Sequence, residues 1–155
     1  MVRLSDLPEF EAKHLLAKNG VLPGPPAWTA PTKPRSEQKF VIITTAGIHA
    51  IGDEPFASSD ATYRVLPGET SGANFVMSHA SVNYDRSGFQ DDVNVVFPID
   101  RFRELAEHGT IGGLASQHYS FMGAGLEPPA YERSVRNLAK LLRRDRVDSA
   151  FLTPV

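Results

Sequence analysis

Phe40–Ala50, FVIITTAGIHA, is the stretch on which the reading of this chain turns. Phe40 to Ile43 is an unbroken apolar run rich in β-branched residues, followed by small residues and a glycine. A strand that alternates apolar and polar residues buries one face, whereas a continuous apolar run needs cover on both, as in a parallel sheet. Thr44, Thr45, Ala46 and Gly47 then open a turn at the strand's carboxyl end, where α/β folds place their ligands. His49 follows two residues later. A second β-rich run, Val147–Val155 (VDSAFLTPV), comes directly after a helical pattern, as in the second half of a βαβ unit.

Outward from that strand, the first 38 residues are read as a helix and a connector. Leu4–Asn19 is predicted helical, with Ser5 as its cap, Pro8 in its first turn and Gly20 as its stop. Val21–Gln38 holds five prolines and is read as an extended connector with Trp28 as its anchor. Residues 39–155 form the second part. There Thr62–Leu66, Asn74–Ser78 and Val93–Phe97 have strand-like composition, and Pro98 opens a helix that Gly109 stops. Ile111–Gly125, with four glycines, is read as a compact loop. The last helix starts at Pro128–Pro129. Its buried stripe is Tyr131, Val135, Leu138, Leu141 and Leu142, and its wet face is Arg133, Arg136, Lys140, Arg143 and Arg144. The expected fold is α/β, three-layered, with a mainly parallel sheet that is incomplete at the C-terminus.

Composition excludes several functions. With 16 Lys and Arg against 18 Asp and Glu, the net charge of −2 offers no long-range attraction to nucleic acid or an anionic membrane. No apolar run approaches the ~20 residues of a membrane span, and acidic residues stand where a secretory signal has its apolar centre, so a cytoplasmic location is expected. The absence of cysteine removes thiolate metal sites and a Cys nucleophile from these residues. His49, His79 and Asp85 lack the spacing of a metal motif, so no metal site is expected. GxGxxG after a strand, a Walker A loop and GxSxG are all absent. The TTAG turn remains a candidate anion cradle through its backbone amides.

Six segments together resemble one family. They are TTAGIH from Thr44, GDEPF from Gly52, YRVLP from Tyr63, DDVNVVFPIDRFREL from Asp91, IGGLASQHYSFMG from Ile111 and the closing FLTPV. Their order resembles the selenoprotein B family of glycine, sarcosine, betaine and D-proline reductases, in its shorter D-proline-reductase-like branch. The resemblance covers about Phe40–Val155. It implies that residues 39–155 are the N-terminal part of an α/β reductase domain, truncated just before a selenocysteine or cysteine nucleophile expected immediately after Val155.

The resemblance further implies reductive cleavage of a C–N bond in a small amino acid or derivative, with a dithiol as electron donor. The cofactors it implies are that selenocysteine and a pyruvoyl group carried by a partner reductase subunit; none is expected in this chain. The candidate pocket residues are Thr44, Thr45, Gly47, His49, His79 and Thr153. A non-catalytic α/β subunit that binds a partner or a small ligand stays open as the alternative.

Overall fold

The computed structural model describes residues 3–17, 28–81 and 86–155. The chain divides into two compact units, Met1–Ala30 and Pro31–Val155. In the first, a single turn of 3₁₀ helix (Leu4–Asp6) precedes helix α1 (Glu9–Ala17). Ser5 does not cap: the Asp6 carboxylate instead accepts from the Arg3 amide at 2.9 Å. The helix starts late because Pro8 disfavours helical backbone in the residue before it, and Leu7 is extended. A Glu9–Lys13 ion pair at 2.6 Å lies on α1, none of whose residues is buried. The expected stop at Gly20 lies outside the described residues. Trp28 is exposed rather than the buried anchor expected.

The second unit is built on β1 (Lys39–Thr44). Val41 and Ile42 are adjacent, point to opposite faces and are both fully buried, so this strand has cover on both sides. β2 (Ile48–Ala50) and β4 (Phe75–Met77) form a separate antiparallel pair. β3 (Tyr63–Pro67) is antiparallel to β6 (Gln117–Phe121). β5 (Gly113–Leu114) and β6 both run parallel to β1, β5 beside its start and β6 beside its end. β7 (Ser149–Thr153) runs parallel along the opposite side of β1, with Thr44 opposite Thr153. The sheet is therefore mostly parallel, as expected.

Two helices make the outer layers. α3 (Ile99–Glu107) sends Ile99 and Phe102 into a core with Ile42, Leu66, Phe75 and Phe97. α4 (Glu132–Arg144) sends Leu138 into a core with Val41, Tyr119 and Phe121 on the other face. Between β4 and α3 lies the short α2 (Ser87–Asp91). Lys33 pairs with Asp148 at 2.8 Å and the Gln38 amide donates to the Lys33 carbonyl, so residues after Ala30 belong with the sheet.

Three further expectations, all in the second unit, fail. Val93–Phe97 is not a strand: Val93–Val95 is a 3₁₀ turn, because the Asp92 carboxylate takes the Asn94 amide at 2.9 Å. Asn94 in turn accepts from the Asp100 amide, which fixes the start of α3. Ile111–Gly125 is not merely a loop, since it contains β5 and β6, a strand between two neighbours. Its signal was hidden because alternate residues His118 and Ser120 are polar yet fully buried. Val135 is exposed rather than buried.

Among the described residues β7 pairs only with β1. Phe151 and Leu152 on it are 42% and 65% exposed, and no charged side chain guards the strand. An unguarded edge of this kind templates further pairing. The isolated chain is accordingly expected to self-associate in light scattering, and Leu152→Lys to shift it toward monomer; a monodisperse parent chain rules this edge out as the cause.

Candidate functional site

The carboxyl ends of β1, β6 and β7 converge on the TTAG turn. Thr44 is fully buried and its hydroxyl accepts from the Ala46 amide at 3.2 Å. The Thr45 amide donates to the Thr153 carbonyl at 3.1 Å, and the Gly47 amide to the Phe121 carbonyl at 2.9 Å. The Gly47 carbonyl accepts from the Ser78 amide at 2.9 Å. Gly47 has φ +63°, and a Cβ there would sit 3.1 Å from the backbone of His79, which explains the glycine. With all three amides engaged inside the protein, the turn has no N–H groups left for an anion. The cradle read into TTAG is thus spent on stitching the strands together.

Thr44, Ser120 and Thr153 lie side by side across three parallel strands. Their side chains share the face that Ile42 and Phe151 occupy, by the two-residue alternation of strands. The hydroxyls of Ser120 and Thr153 are buried with no hydrogen-bond partner.

On the opposite face, a cleft of about 420 Å³ opens at the strand ends. Thr45, Phe121 and Gly123 form one side and Leu126, Pro128, Tyr131 and Val135 the other. The Thr45 hydroxyl accepts from the Val155 amide at 2.9 Å. The Tyr131 ring meets Phe121 edge-on at 5.9 Å, and burial followed by the nearby Asp60 charge raises the phenol's pKa, keeping it protonated.

The two candidate histidines make separate bonds. His49 Nδ1 faces the Ala50 carbonyl at 3.0 Å and Nε2 faces the Ser78 hydroxyl at 2.7 Å. Since a carbonyl only accepts, the proton sits on Nδ1 and Ser78 donates to Nε2. His79 Nδ1 accepts from the Ser81 amide at 3.2 Å, and its carbonyl accepts from Arg86. Burial, then the Arg86 charge, holds the His79 imidazole below its ordinary pKa. Thr44, Thr45, Gly47 and Thr153 thus meet at one junction with His79 against Gly47. Of the six candidates, the cleft itself is lined only by Thr45. Its other walls escaped the sequence because Leu126, Pro128 and Val135 carry no chemical signature. Phe121 could have been inferred only by recognising β6 as a neighbour of β1. Among the described residues no group of three His, Cys, Asp or Glu could hold a metal.

The family model for glycine/sarcosine/betaine reductase selenoprotein B matches residues 27–155. The chain belongs to that family. It is similar to D-proline reductase subunit gamma of Acetoanaerobium sticklandii, with 35% identity over 131 residues, covering 83% of this chain and 53% of that protein. It is also similar to sarcosine reductase complex component B subunit beta of Peptoclostridium acidaminophilum, 29% identical over 151 residues, covering 94% of this chain and 33% of that protein. Glycine reductase complex component B subunit gamma of Symbiobacterium thermophilum is 29% identical over 128 residues, 79% of this chain and 30% of that one. This chain spans about half the length of the first of these relatives and about a third of the others. No solved structure shows a significant match.

Proposed function

We propose that this chain is part of a reductase subunit acting in the cytoplasm. In this reading it forms one wall of a site where a C–N bond of an amino acid or derivative is reductively cleaved with a dithiol as electron donor. The observation that carries it is the cleft at the carboxyl ends of β1 and β6, in a chain whose relatives are named as subunits of D-proline, sarcosine and glycine reductases. The selenol or thiol that the family resemblance implies is not among these 155 residues, nor is the pyruvoyl group, which would be a partner subunit's.

The strand-end turn does not fit the selenol's anion as a donor set, because the amides of Thr45, Ala46 and Gly47 are already bonded. Any stabilisation of that anion would have to come from other groups. What these residues supply is a shaped, largely apolar cleft, with the Thr45 hydroxyl and the Tyr131 phenol as the polar side-chain groups of its lining.

The largely apolar lining of the cleft also favours a second reading, a non-catalytic subunit that binds a ligand or a partner. Calorimetric titration with D-proline, sarcosine, betaine and glycine, followed by a dithiol-dependent reduction assay with partner subunits added, separates the two. The reductase reading expects one of these amines to bind the chain and Val135→Trp, which fills the cleft, to weaken that binding at least about tenfold. It also expects turnover once the thiol- or selenol-bearing remainder of the domain and the pyruvoyl-bearing partner subunit are both present. Failure of all four amines to bind removes the catalytic reading.

A further inference from the structure

The outer face of α4 has no role in the cleft and carries a dense line of positive charge. Arg133, Arg136, Lys140, Arg143 and Arg144 are all exposed and recur at spacings of three and four, opposite the buried Leu138. At a rise of about 1.5 Å per residue the line is roughly 16 Å long. From Glu132 to Arg146 the sequence holds six cations and two anions, although the whole chain carries net −2, so the remainder is acidic.

Little on the helix offsets this charge. Arg136 pairs with Glu132 at 2.7 Å and Arg144 with Asp145 at 3.0 Å. Among the described residues Arg133, Lys140 and Arg143 have no ion-pair partner. Arg136 and Lys140, and Lys140 and Arg144, are like charges four apart, which opposes helix formation. Arg133 stands in the first turn, where the positive end of the helix dipole repels a cation. A helix shaped only for solubility would interleave both signs; this one keeps a stripe that works against its own stability.

We propose that the exposed face of α4 is a docking surface for an acidic face of a partner protein. The occupant follows from charge complementarity. The stripe attracts carboxylates brought within a Debye length of about 8–10 Å, and its short length suits a compact acidic segment. The acidic remainder of the chain repels a polyanion that extends far beyond the stripe, such as a long nucleic acid. A second copy of α4 would present the same cations and is repelled. The proposal is independent of the C–N cleavage chemistry: it concerns a surface away from the cleft.

The test uses the 155-residue chain with two fluorescent probes, a polyglutamate peptide and a single-stranded oligonucleotide of matching charge. The chain binds polyglutamate at low salt, and affinity falls as salt rises. The triple variant R133Q/K140Q/R143Q binds the peptide at least about tenfold more weakly, yet melts about 2 °C higher because like-charge repulsion is relieved. The charge-conserving Arg133→Lys/Arg143→Lys variant keeps the binding. The proposal is overturned if the parent chain does not bind polyglutamate, if the triple variant binds as tightly, or if it melts below the parent. Tighter binding of the oligonucleotide than of the peptide also overturns it, making the face a nucleic-acid surface.

Discussion

Acidification from pH 7 to pH 4 is expected to remove about 3 kcal/mol of stability through one residue, His118, and His118→Asn to abolish that loss. His118 is fully buried in β6, where its Nδ1 accepts the Ile42 amide at 3.0 Å, a bond from the central strand that no ladder partner supplies. The ring packs edge-on against Phe97 at 5.5 Å. Burial, then the Arg103 charge, pulls its pKa from 6.5 to about 4.

The sign follows from which state binds the proton. Between pH 6.5 and about 4 the unfolded chain carries a proton on this imidazole and the folded chain does not. The stabilising contribution is therefore complete above pH 6.5 and disappears as pH falls toward about 4. A shift of this size corresponds to about 3 kcal/mol, a large part of a typical domain's stability. His79, also depressed by burial and Arg86, adds a loss of the same sign. Asparagine places an oxygen where Nδ1 stood, keeps the Ile42 bond and does not titrate. Its lost ring contacts lower stability at pH 8 by about 2 kcal/mol, but urea melts at pH 8, 6 and 4.5 should show a flatter profile than the parent. A variant with the parent's full pH slope would falsify the assignment to His118.

Gly123→Ala should destabilise by about 3 kcal/mol, whereas Gly109→Ala, at a similar backbone angle, should lose about 1 kcal/mol. Gly123 has φ +75° and Gly109 φ +65°, so both replacements carry left-handed strain. The difference is space. A Cβ on Gly123 falls 2.6 Å from both the Cβ and the carbonyl oxygen of Thr45, while one on Gly109 meets nothing within 4 Å. Relief at position 123 requires the turn after β1 to move, and that turn is tied to β6 and β7 by the Gly47 and Thr45 amides. For a chain of this size the melting temperature drops about 3 °C per kcal/mol, so about 9 °C against 3 °C. Equal drops in differential scanning calorimetry would mean that the contact with Thr45 carries no weight.

Much of the architecture could be read from local patterns, because those patterns record burial directly. The run FVII required cover on both faces, and Val41 and Ile42 have it. Pro98 and Gly109 bounded α3, and the spacing of Leu138 and Leu142 oriented α4 onto the sheet. Composition likewise showed no apolar run near the ~20 residues of a membrane-spanning helix, and among the described residues no helix is long and apolar enough to cross a membrane. The ordered motifs from Thr44 to Val155 carried the family, which the match over residues 27–155 bears out.

Tertiary structure alone decided what depends on partners distant in the chain. QHYSF looks like a loop by composition, yet it is a buried strand because β1 and β3 flank it and because His118 finds its partner in Ile42, 76 residues earlier. Leu126, Pro128 and Val135 become a cleft wall only when the segment before α4 is folded over the end of β6. The TTAG amides looked available to a ligand until Thr153 and Phe121 arrived to accept two of them and the Thr44 hydroxyl the third. A sequence records how strongly each residue seeks burial or a hydrogen bond. Which group across the fold satisfies that need is settled only when the strands are in register.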